Sequence, residues 1–109
     1  MSVELSFMDV ERFESDLGEV AVTESHIERK RSDSDDWEQI RDHFPEKNLV
    51  DKLHFSEIED TRIVHGSVFP NIEFMVDGKW KRMFFHIGDS IEGCYEELQY
   101  RLKVYSQKH

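Results

Sequence analysis

The chain of 109 residues carries 24 Asp and Glu against 14 Lys and Arg, a formal net charge of −10, with a mean hydropathy of −0.67. That length suits a single domain over residues 1–109, able to bury a core without disulfides or a metal. The acidic balance argues against nucleic acid or an anionic membrane as the main partner, because phosphate binding needs clustered Lys and Arg; no run of about 18 apolar residues is present to span a bilayer.

Composition also bears on fold class. Nine Val, seven Ile and thirteen aromatic residues stand against one Ala and six Leu, a mixture that favours strands and that disordered chains lack. The single Cys94 forms no intramolecular disulfide and no charged-apolar-small leader opens the chain, so a cytoplasmic location is expected. Charge is uneven: residues 1–60 hold 18 acids against 7 bases, whereas 61–109 hold 6 against 7. An acidic front half fits a cytosol of high ionic strength and hence a halophilic source, although seven Lys and an excess of Glu over Asp weigh against it.

In chain order, "VELSF" alternates Val3, Leu5 and Phe7 as in a half-buried strand. The stretch "MDVERFESDLG" reads either as a short helix with Val10, Phe13 and Leu17 on one side or as an irregular crossing. "EVAVTESHIERKR" supplies two strands, with Val20 and Val22 inward, Ile27 inward, and a turn near Glu24 and Ser25. "SDSDDWEQIRDHFP" predicts a short helix: Asp33 or Ser34 accepts orphan amides at its start, Trp37, Ile40 and Phe44 share a face, and Pro45 stops it. "LVDKLHF" and "SEIEDTRIVHG" read as strands separated by a bend, followed by a loop from Gly66 to Asn71 that holds Pro70.

"FMVDGKWKRMFFHI" predicts a two-residue Asp77-Gly78 turn that pairs Val76 with Lys79, Met75 with Trp80, Phe74 with Lys81, Glu73 with Arg82 and Ile72 with Met83. Ile72, Phe74, Val76, Met83, Phe85 and Ile87 would then line the buried side, with Lys79 and Lys81 reaching past the core edge. "DSIEGCYEELQYRLKVY" predicts a helix opened by an Asp89/Glu92 capping box. Its stripe of Ile91, Tyr95, Leu98, Leu102 and Tyr105 would face the sheet, and Gly93 would pack closely against it.

Together "VAVTESHIERKR", "LHFSEIEDTRIV", "NIEFMVDGKWKRMFFHI" and "IEGCYEELQYRL" resemble, in element order, the pleckstrin-homology-like superfold. That resemblance implies an α+β fold: a curled antiparallel sheet or partly open barrel of about seven strands, with a C-terminal amphipathic helix closing one end; the one short helix inserted around Trp37 departs from the family. Tyr95 or Leu98 stands where many members carry a helix Trp. The superfold hosts lipid, peptide and protein binders alike, so it implies no single function. Basic residues near strand loops hold phosphoinositide head groups in many members, which directs attention to Arg29, Lys30 and Arg31 and to Lys79, Lys81 and Arg82. The acids of "SDSDD" would neutralise the first cluster locally, and both clusters also read as ordinary solvated faces.

No catalytic motif is present. Cys94 lies in the first turns of a helix with His86 upstream, the pair an enzyme with a Cys nucleophile and His base would use; no third orienting group is identifiable, and Cys94 beside the apolar stripe reads better as a small core residue. The six histidines never fall at the short spacing of common Zn sites, and "DSDD" lacks the Gly and distal Glu of an EF-hand loop, so neither a metal nor another cofactor is expected. Glu96 and Glu97 read as solvent-facing. The reading is a non-enzymatic binding or interaction module with a protein or peptide partner. Lys79, Trp80, Lys81 and Arg82 are its candidate ligand-binding residues, because Trp and Arg are enriched at interface hot spots.

Overall fold

The computed structural model describes residues 9–66 and 68–108; the strand expected over 3–7 lies outside them. Seven strands are present among the described residues: β1 (Glu11–Phe13), β2 (Val20–Val22), β3 (His26–Arg29), β4 (Lys52–His54), β5 (Asp60–Val64), β6 (Asn71–Val76) and β7 (Lys79–Phe84). They form two antiparallel sheets, ordered β1-β2-β3-β4 and β5-β6-β7, that do not close into a barrel. Helix α1 (Asp36–His43) is inserted between β3 and β4, and helix α2 (Ile91–Lys108) ends the chain.

The first strand corrects one expectation. Residues 11–13 are neither helix nor irregular crossing: Glu11, Arg12 and Phe13 pair with Val22, Ala21 and Val20, because an edge strand satisfies backbone groups that an isolated short helix leaves open. A turn at Asp16 and Leu17 follows, and Gly18 sits at φ 121° with Lys30 O only 1.9 Å from where a Cβ would stand, so no other residue fits there. The β2–β3 turn falls where expected, closed by Thr23 N–H donating to His26 O at 2.9 Å.

At α1, Ser34 Oγ accepts from the Asp36 amide (3.2 Å), and Trp37 and Ile40 are buried. "LVDKLHF" is only partly strand: Leu49 bridges Arg82 in parallel, β4 begins at Lys52, and a 3-10 turn over Phe55–Glu57 makes the bend to β5. The β6–β7 hairpin has the predicted register at all five pairs. Asp77 and Gly78 both take positive φ, 54° and 76°, as a type I′ turn requires.

Hydrophobic residues divide between the two faces of β5-β6-β7. One core lies between the sheets and α2, built from Val20, Val22, Ile27, Leu53, Ile72, Phe74, Met83, Phe85, Ile91, Cys94 and Leu98, with Tyr95, Leu102 and Tyr105 packed at its edge. The second covers the opposite face with Leu17, Trp37, Ile40, Leu49 and Phe84, flanked by Phe44 and Phe69. α2 therefore closes one end of the space between the sheets, and α1 roofs the other side of β7.

Three details at the end of the hairpin depart from expectation. Ile87 is 58% exposed, because the chain leaves the sheet after Phe84 and turns at Gly88 (φ 98°). Asp89 does not act as a capping box: its Oδ2 accepts from the His86 amide at 2.7 Å, closing that turn two residues before α2 begins. Nor is Gly93 forced by packing, since a Cβ there would meet Phe13 Cε1 at an ordinary 3.8 Å.

Candidate functional site

Strand alternation separates the four residues singled out in the hairpin. Lys79 and Lys81 stand opposite Val76 and Phe74 on the inner side, whereas Trp80 and Arg82 stand opposite Met75 and Glu73 on the outer side. Lys79 is exposed at the tip. Lys81 Nζ donates to the Lys47 carbonyl at 3.0 Å. Trp80 lies half-buried under the Arg62 guanidinium, 4.0 Å from the ring centroid. The four do not converge on one ligand.

Arg82 belongs to a charged row across three strands. Arg62, Glu73 and Arg82 are direct cross-strand neighbours, with Arg62 Nε 2.5 Å and Arg82 Nη1 2.6 Å from the two Glu73 oxygens. Glu73 is only 2% exposed; a buried carboxylate needs such partners, and two guanidiniums supply them. Arg82 also lies over the Phe44 ring at 4.9 Å, which ties the row to the end of α1.

The second basic cluster is dismantled by the same alternation. Arg31 donates to Glu46 through both terminal nitrogens (2.9 Å each) and to Asp51 (3.1 Å), and lies 4.5 Å from the Trp37 ring centroid. Hydrogen bonding to Glu46 raises its pKa further, and Arg31 in turn holds Glu46 below the usual carboxylate range. Arg29 points inward like Ile27 two residues before it and is 4% exposed. Its Nε donates to Gly18 O at 3.0 Å, its Nη1 to Phe84 O, and its guanidinium faces the Phe85 ring at 5.0 Å. Burial pushes the Arg29 pKa down to about 10, with the charge of Asp51 the largest opposing influence. Arg29 thus joins the two sheets rather than an external anion, and Lys30 alone of the three is exposed.

Cys94 is fully buried, and desolvation pushes its thiol up to about 12 despite the pull of Arg29. His86 is engaged elsewhere: its Nδ1 donates to Ile87 O at 2.8 Å, and its two ring nitrogens lie 3.8 and 3.7 Å from Asp16 and Asp36. No hydrogen bond joins Cys94 to His86 among the described residues. Glu96 is exposed, whereas Glu97 is paired with Arg101 at 2.6 Å. No group of three or more His, Cys, Asp or Glu that could hold a metal ion occurs among the described residues, and no helix there is long and apolar enough to cross a membrane.

Beside Arg82 lies a cleft of about 470 Å³ that the sequence reading missed. It sits on the outer face of β5-β6-β7, between the end of α1 and the loop before β6. Phe44, Val64, Val68, Phe69 and Phe84 form its apolar walls, and Gln39, His43, Asn71 and Arg82 supply its polar groups. Val68 is 51% exposed on its rim. Asn71 is 3% exposed, and its Oδ1 has no hydrogen-bond partner among the described residues. The only hint in the sequence was "VFP", apolar residues in a segment otherwise read as loop. Clefts of about 500 and 680 Å³ flank α2; the first mixes Asp9, Glu11, Glu24 and Glu97 with Arg101 and Lys108, and the second Glu59 and Asp60 with Lys103.

No family model, no curated protein and no solved structure matches the chain.

Proposed function

We propose that this protein is a non-enzymatic interaction module that takes an apolar side chain of a protein or peptide partner into the cleft beside Arg82. The observation that carries the reading is the meeting, in one concavity, of aromatic walls with a few oriented polar groups, the usual makeup of a ligand site. Half-exposed Val68 on its rim is the kind of residue a partner would cover. The sealed Cys94 thiol supports the choice over a Cys–His enzyme, because the thiolate is the nucleophile and burial suppresses it. Arg82 is the one residue of the hairpin quartet that enters this site; Trp80, Lys79 and Lys81 stand outside it. The pleckstrin-homology-like fold is proposed on element order alone, and a cytoplasmic location on the single Cys94, which forms no intramolecular disulfide.

Selection of a phage-displayed random peptide library on the intact protein tests the reading. Enriched peptides are expected to carry an aliphatic or aromatic anchor and to lose about tenfold or more in affinity, roughly 1.4 kcal/mol, for Val68→Asp. The control Tyr100→Asp, on a residue of α2 that is 62% exposed, should leave them unchanged. An unenriched library, or peptides indifferent to Val68→Asp, overturns the proposal.

A further inference from the structure

In a protein with 24 acidic residues, no carboxylate among the described residues lines the cleft, while Arg82 does. Arg82 shares the single buried carboxylate of Glu73 with Arg62, so the row has two guanidiniums for one carboxylate and keeps one positive charge in excess. Phe44 stacks on Arg82 and Phe84 forms part of the wall, so the charge stands in apolar surroundings where an ion pair is stronger than in water.

We infer that the cleft recognises an acidic, hydrophobic peptide segment: an apolar side chain enters between Phe44 and Phe69, and a neighbouring carboxylate meets Arg82. This inference rests on the interaction-module reading and specifies its ligand. The carboxylate is that of an acidic side chain or of a chain terminus, which share the same chemistry toward a guanidinium.

Two pairs of small probes, titrated into the 15N-labelled protein and followed by two-dimensional NMR, test it. Acetyl-Leu-Glu-amide against acetyl-Leu-Gln-amide reads a side-chain carboxylate, and N-acetyl-leucine against N-acetyl-leucine amide reads a terminal one. The expected result is movement of the Val68, Phe69 and Phe84 signals. In at least one pair the acid should bind several-fold tighter than its neutral partner, and added KCl should shrink that preference by screening. Val68→Asp, on the exposed edge of the cleft, should weaken every probe that binds the wild type. If acid and neutral probes move the cleft signals equally, the acidic ligand is overturned and the interaction module stands. If no probe moves them, this ligand class is overturned, and the peptide selection decides the module separately.

Discussion

The guanidinium of Arg62 on β5 covers the indole of Trp80 on β7, 4.0 Å from its ring centroid, across the intervening β6. Trp80 is therefore a packing partner held by a cation, while Trp37 is buried and donates from Nε1 to the Leu17 carbonyl at 3.0 Å. In Trp37→Phe, where emission comes from Trp80 alone, iodide quenching should be partial and should rise when Arg62→Ala is added. Unchanged quenching on removing Arg62 would mean that the stack does not shield the ring in solution.

Leu98 is fully buried in the core that α2 shares with both sheets. Leu98→Ala should cost about 2–5 kcal/mol through lost burial and the cavity left behind. Against a typical total of roughly 5–15 kcal/mol, a thermal melt would show a large fall in Tm. An unaltered Tm would place α2 outside the cooperative unit.

Gly93 lies in the first turn of α2, exposed, with ordinary contact distances around its missing Cβ. Gly93→Ala should therefore stabilise the protein by up to about 1 kcal/mol, since Ala loses less backbone freedom on entering a helix. A lower Tm in this variant would reveal a packing constraint that these distances do not show.

Cys94 gives a pH signature. Its native pKa of about 12 stands above an ordinary value of 9.0. Between those values the unfolded chain releases a proton that the native state keeps, so this thiol's contribution to stability is intact below pH 9 and falls as pH rises toward 12. Arg29 acts with opposite sign above about pH 10, so the effect is read as a difference: Cys94→Ala should lose less stability than wild type across that window. Native Cys94 should also resist alkylation near pH 8 and react after denaturation. Rapid native labelling would restore the nucleophile reading.

Acids crowded into residues 1–60 repel one another, and salt screens charges more than about 10 Å apart at 0.1 M. Tm should rise from low salt to molar KCl. A flat or falling curve would remove both self-repulsion and the halophilic reading.

Local patterns settled a good part of this fold in advance. The Asp77-Gly78 turn determined the whole β6–β7 register, because a two-residue loop leaves no freedom in pairing. The stripe from Ile91 to Tyr105 determined which side of α2 turns inward, and the Trp37, Ile40 and Phe44 spacing did the same for α1. Alternation also placed Arg29, but composition drew it into an apparent surface cluster with Lys30 and Arg31. The rule that put Ile27 inside puts Arg29 inside as well.

Only tertiary structure decided the rest, because each case depends on residues distant in sequence. Residues 11–13 are strand because Val20, Ala21 and Val22 offer an edge to pair with. Glu73 is buried on the face expected to be open, where two arginines from neighbouring strands pair with it. The cleft exists only because Phe44 ends α1 beside the loop that carries Val68 and Phe69. Its lining comes from segments up to 45 residues apart, from Gln39 to Phe84, and no local pattern reports which side chains a fold brings together over that separation.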